Sequence, residues 1–185
     1  MGNFYVNFTL KSEDSDAVAA TLRSAGRDAF VSPNLSGYVV VTDRAADEQD
    51  PRQIQQVGEL LSTGLSTPVL AVLNHDDDIL CYWLFENGRT TDEYNSDPGY
   101  FSGEDLSPSG GDADRLCSAF GKAEAAAKIK DILIDQEDYV FAMDRHEALS
   151  HSLALPTAAL AFGYRYLEAD DMPEGIDPEN LIRTT

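Results

Sequence analysis

The sequence predicts an α+β fold, and three observations carry that reading. The first 75 residues alternate short apolar runs with helix-periodic stretches. An Asn87-Gly88 pair then separates two further strand-like runs, and beyond a Gly-, Ser- and Pro-rich stretch at 96–111 the texture turns helical. Of the 185 residues 43% are hydrophobic and 25% charged, enough apolar surface for a real core without covalent staples. Two cysteines, Cys81 and Cys117, make no disulfide framework.

Phe4 to Leu10 is rich in aromatic and β-branched residues and reads as a strand. Asp14 or Ser15 can cap a helix running to about Gly26, with Val18 and Leu22 four apart on its inner face. Ala29 to Val31 and Tyr38 to Val41 are short apolar strands around the Asn34–Gly37 turn. Asp50-Pro51 is a strong helix start, because Asp accepts from free backbone N–H groups and Pro is preorganised at the first helical position. Ile54, Val57, Leu60 and Leu61 then recur at helical spacing, and Val69 to Leu73 is a continuous apolar run suited to a buried strand.

That order, strand-helix-strand-strand-helix-strand, is the ferredoxin-like βαββαβ pattern. Ile79 to Glu86 and Arg89 to Tyr94 add a β-hairpin to it, the second strand polar and suited to an edge. The expected organisation is a ferredoxin-like α+β domain over 1–95, a linker over 96–111 and a small helical unit over 112–185, packed on or beside the sheet. Within that unit helices are expected from Asp112 to Phe120, Ala123 to Ile134, Glu137 to Leu155 and Thr157 to Glu168, before an acidic, Pro-containing end. Phe141, Arg145, Leu149 and Leu153, four apart, define the inner face of the longest.

The charge is the most decisive compositional feature. Thirty-three acids against thirteen bases give a net charge of −20. Residues 1–96 carry 15 acids and 6 bases, and 97–185 carry 18 and 7, so the excess belongs to the whole surface. Such a field repels nucleic-acid phosphates and anionic lipid head groups and attracts a basic protein. It is equally what solvation in a saline environment requires; only four lysines are present, and Asp outnumbers Glu 21 to 12. No apolar stretch approaches about 18 residues. The opening Met1-Gly2-Asn3-Phe4-Tyr5-Val6 lacks the basic and apolar regions of a signal peptide, so a cytoplasmic location is expected.

Few residues are patterned for chemistry. Asp144, Glu147 and His151 sit at i, i+3 and i+7, which puts two carboxylates and an imidazole on one helix face, a set that suits a divalent metal. The bland reading is a solvated face with a Glu147–His151 pair. His146 and His151 are one residue too far apart for the zinc-protease spacing. His75-Asp76-Asp77-Asp78 offers oxygen and nitrogen ligands in a row, Asp76 and Asp78 among them, but alternate side chains diverge, and an acidic hairpin turn explains the string better. His146 reads as a residue of the helix–sheet seam with one nitrogen satisfied. Gly110-Gly111-Asp112 before a helix could hold an anion but lacks a P-loop's glycine pattern. Tyr94, Tyr100 and Phe101 flank Pro98-Gly99, where loop aromatics either pin the loop or anchor a partner.

The expected function is therefore a non-enzymatic acidic interaction protein, regulatory or immunity-like, that binds a basic protein partner. Neither nucleic acid nor membrane is expected as a ligand, no cofactor is predicted, and the oligomeric state is left open. Two alternatives stand beside it: a small-ligand sensor with a pocket between sheet and helical unit, and a divalent-metal-dependent hydrolase.

Overall fold

Alternation along a single strand decides the architecture. In β1 (Phe4–Lys11), Val6, Phe8 and Leu10 point to one side and Tyr5, Asn7 and Thr9 to the other, and all six are buried. A strand buried on both faces needs cover on both. The computed structural model, which describes residues 2–185, supplies it from the two halves of the chain.

The protein is a mixed α+β structure with one antiparallel sheet. Beside β1 lie β2 (Ala29–Val31), β3 (Tyr38–Asp43), β4 (Val69–His75), β5 (Ile79–Glu86), β6 (Arg89–Asn95), β7 (Ser109–Gly110) and β8 (Ile182–Arg183). Their order is β7-β6-β5-β4-β1-β3-β2-β8. On one face pack α1 (Ser15–Ser24), capped by Asp14, and α2 (Pro51–Gly64), capped by Asp50. Val18, Leu22, Ile54, Val57 and Leu61 meet Val6, Phe8, Leu10, Ala71 and Phe85 there. The tight turn between β5 and β6 places Asn87 (φ 51°) and Gly88 (φ 73°) in the left-handed region, as two-residue hairpins require.

The opposite face is covered by α3 (Ala113–Phe120), α4 (Ala126–Ile134) and α5 (Ala142–Leu153), whose Leu116, Phe120, Ile129, Leu133 and Leu149 pack on Leu70, Val72, Tyr82 and Leu84. A third cluster joins α6 (Tyr164–Glu168) to Phe30 and Val40. The buried Asp47 fixes that helix, accepting from Val6 N and Arg165 N at 3.1 Å each.

Two expectations fail locally. The helix expected from Glu137 begins only at Ala142, because the Asp135 carboxylate takes the N–H groups of Glu137 (2.7 Å) and Asp138 (2.9 Å) into a turn. Phe141 thus leaves the inner face and stands at the N-cap, 53% exposed. The Thr157–Glu168 helix is broken into a 3-10 turn and α6 by Ala161, whose φ is 59°. The acidic C-terminal stretch, for which the sequence predicts no element, ends in β8, which pairs Phe30 with Arg183 and Val31 with Ile182.

Candidate functional site

The His75–Asp78 string is a hairpin turn, closed by Asp78 N to the His75 carbonyl at 3.0 Å, with Asp76 (φ 53°) and Asp77 (φ 64°) left-handed. Its three carboxylates go separate ways. Asp76 Oδ1 accepts from Gly2 N (2.9 Å). Asp77 Oδ1 accepts from Asn74 Nδ2 (3.1 Å) and from Met143 N (2.9 Å) at the start of α5. Asp78 Oδ2 accepts from the Tyr100 hydroxyl (2.9 Å), and that bond raises the phenol's pKa.

Tyr100 and Phe101 do cluster, and on His75: the His75 ring lies 6.0 Å from Tyr100 and 5.3 Å from Phe101, with Phe4 at 5.0 Å on its other contact. Gln49 Nε2 donates to the Asn74 carbonyl, so its Oε1 faces His75 Nδ1 at 2.6 Å and that nitrogen carries the proton. Tyr100 thus pins the loop while Phe101 stays 80% exposed. Tyr94 does not join them. It is 3% exposed, stacked on Tyr82 at 5.4 Å, and its hydroxyl donates to the Leu133 carbonyl at 2.8 Å. Burial pushes its pKa up to about 12, and it joins the hairpin to α4 as a core residue.

Asp144, Glu147 and His151 share the exposed face of α5 and line a shallow cavity of about 290 Å³ with Ser150, Thr157 and Leu160. Among the described residues no three His, Cys, Asp or Glu side chains converge to hold a metal ion. Asp144, Glu147 and His151 are all exposed, while Asp76 and Asp78 are engaged by Gly2 N and the Tyr100 hydroxyl. At Gly110-Gly111-Asp112 the N–H groups that an anion would use are taken: Gly111 N donates to the Glu93 carbonyl (2.8 Å) and Asp112 N to the Asp92 carboxylate (3.0 and 3.1 Å).

His146 lies in the seam, 2% exposed, with Nδ1 at 2.7 Å from the Tyr5 hydroxyl. Burial lowers its pKa to about 3, and the same burial raises that of Tyr5. Shut off from solvent, it has the surroundings of a structural imidazole. Cys81 is half-buried on β5 with its thiol pushed up to about 12 by desolvation, and Cys117 is buried and shifted the same way; both are free. A raised pKa suppresses the thiolate that nucleophilic chemistry needs.

What sequence reasoning missed lies beside the Asp76–Asp78 turn. A cavity of about 210 Å³ opens there, lined by Asp78, Asp97, Glu104, Asp105, Leu106 and Arg145 among others. Arg145 is 4% exposed and directs its guanidinium at the Ile132 and Asp135 carbonyls, at the end of α4, and over the Tyr139 ring at 5.1 Å. An arginine four residues before Leu149 and eight before Leu153, in line with a helix's inner face, was the available signal. Compared with protein-family models, curated proteins and solved structures, the chain matches none.

Proposed function

We propose that the chain is a non-enzymatic interaction protein that binds a basic protein partner in a regulatory or immunity-like role. One observation carries this reading. In a chain of net charge −20, the loop after β6 presents Phe101 at 80% exposure while Tyr100 and His75 hold that loop in place. An exposed aromatic on a braced loop is an anchor in search of a pocket. Acidity and anchor together suit a partner that is basic. A cytoplasmic location is part of the same proposal. So is a ferredoxin-like core, which the strand order β4-β1-β3-β2, with α1 and α2 on one face, supports.

The test is capture on the immobilised chain at low KCl, followed by titration of the purified partner across a KCl series. A basic partner whose Kd weakens with salt and in Phe101→Ser is expected. An acidic partner with a salt-independent Kd overturns the reading.

A second reading, the small-ligand sensor, is favoured by one groove. Between the turn before β3 and the end of α5 lies a space of about 560 Å³, lined by Leu35, Tyr38, His151, Leu155, Pro156 and Glu174. Mostly apolar walls with a few polar groups suit a small molecule. Apolar compounds that raise Tm in the wild type and not in Leu35→Arg would support it; a screen without such compounds speaks against it.

A further inference from the structure

Five large apolar side chains stand out in solvent among the described residues: Phe101 (80%), Val140 (70%), Ile134 (63%), Phe141 (53%) and Leu106 (43%). They are not scattered. Tyr100, next to Phe101, bonds Asp78 at 2.9 Å. Ala142, next to Phe141 and one further from Val140, donates its N–H to the Asp77 carbonyl at 2.7 Å. Leu106 shares a cavity wall with Asp78 and Ala142. Ile134 lies between Ile132 and Asp135, whose carbonyls Arg145 holds. Three segments distant in sequence, 76–78, 96–108 and 134–142, therefore meet at one end of the sheet.

The charge of these segments is one-sided. Each contains three acidic residues, and none contains Lys or Arg. The cation in the cavity wall, Arg145, is buried and bonded to backbone, and it lines the cavity together with Asp78, Asp97, Glu104 and Asp105. Exposed apolar side chains gain by leaving water, whereas the carboxylates around them lose hydration and need a counter-charge. Phosphate and anionic lipid are repelled by the same carboxylates. Only an occupant that offers both apolar side chains and cations satisfies the two demands at once.

We infer that this end of the sheet is the docking surface for an amphipathic segment of a protein partner, in which Lys or Arg side chains stand beside large apolar ones. The inference rests on the basic-partner reading above and adds where the partner sits and what it presents. Phe101 and Phe141 are the anchors, Val140 and Leu106 extend the apolar surface, and the cavity rimmed by Asp97, Glu104 and Asp105 takes a basic side chain.

The test uses three labelled synthetic peptides and fluorescence anisotropy: an amphipathic helical peptide of Leu and Lys, an equally charged peptide of Lys and Ser, and one of Leu and Glu. The Leu/Lys peptide is expected to bind the full chain about tenfold or more tighter than the Lys/Ser peptide, and the Leu/Glu peptide not at all. Phe101→Ser/Phe141→Ser should erase the tenfold advantage and leave Lys/Ser binding as it was. Amide exchange should slow in 96–108 and 134–142 when the Leu/Lys peptide is bound. If the double variant melts below the wild type, Val140→Ser carries the same comparison. Undiminished Leu/Lys binding in a folded variant overturns the surface, while salt-sensitive binding of both cationic peptides keeps the basic-partner reading. No binding of either cationic peptide at low salt overturns both.

Discussion

Asp77, in the turn between β4 and β5, caps a helix that begins far along the chain: its Oδ1 accepts from Met143 N at 2.9 Å and its carbonyl from Ala142 N at 2.7 Å. The N-cap residue itself, Phe141, has no side-chain acceptor, so two of the free N–H groups of α5 are met from the sheet. Because Asp77 has φ 64°, it also carries a backbone conformation that Ala tolerates poorly. Asp77→Ala should therefore lose about 2 kcal/mol, about 1 from the cap and about 1 from the left-handed backbone. Asp77→Asn keeps an acceptor and an αL-tolerant side chain and should lose less than half of that. Urea unfolding of both variants decides it; equal losses would show that neither the side-chain acceptor nor the αL-tolerant side chain contributes.

His146 sets a pH dependence. Folded, its pKa is lowered to about 3 by burial; unfolded, it returns to about 6.5. Between those values the unfolded chain binds one more proton, so its contribution to stability is complete above pH 6.5 and is lost as pH falls toward 3. His146→Asn, which can still accept from the Tyr5 hydroxyl, lacks this titration. The wild type should lose stability on acidification more steeply than the variant, by up to about 1.4 kcal/mol per pH unit. Carboxylates common to both proteins cancel in the comparison. Parallel stability curves between pH 6.5 and 4 would mean that the imidazole is not buried as described.

The contrast between those two residues shows what the sequence made legible. His146 was readable as a seam residue, because its position fell in line with Leu149 and Leu153 on one helix face. The cap role of Asp77 was not, since it depends on a contact across 66 positions that no local pattern records. The strands and helices up to Asn95 announced themselves by period and cap residues, Asp14, Asp50 and Asn87-Gly88 above all. The start of α5 was misjudged because Asp135 competes for backbone N–H groups, and β8 because two residues carry no periodicity. For the candidate surface, Tyr100 and Phe101 were visible as loop aromatics. Phe141 was hidden, because four-residue spacing placed it on the inner face of a helix that does not extend that far.

Divalent metals should not stabilise the protein specifically. Ligand binding to the native state at a hundred times Kd adds about 2.7 kcal/mol, easily visible in Tm. Among the described residues no three metal-ligating side chains converge, so melting in EDTA and in Ca²⁺, Mg²⁺, Mn²⁺ or Zn²⁺ at matched ionic strength should coincide. Asp144→Ala/His151→Ala should cost less than about 1 kcal/mol, the size of a helix-end charge effect. A saturable rise with one metal that disappears in the double variant would restore the hydrolase reading.

Gly58 offers a test in which two principles point in opposite directions. It lies in α2, where Ala is intrinsically favoured over Gly by about 1 kcal/mol. Yet a Cβ at this position would stand 2.2 Å from a Phe85 ring carbon, and Phe85 is itself fully buried between β5 and α2. The ring cannot swing aside as a flexible chain end would, so helix and sheet must separate or Phe85 must leave its rotamer, at about 1–3 kcal/mol. Loss of packing along Val57, Leu61 and Ala71 adds to this as the layers part. Gly58→Ala should therefore be destabilising by about 1–2 kcal/mol net, in spite of the propensity gain. Phe85→Leu alone should also be destabilising, since it leaves space in the same place. Combined, the two changes should cost less than the sum of the single ones, because the new methyl fills what the lost ring vacates. Additive losses in urea unfolding would mean that α2 and β5 are not in the close contact on which this half of the core depends.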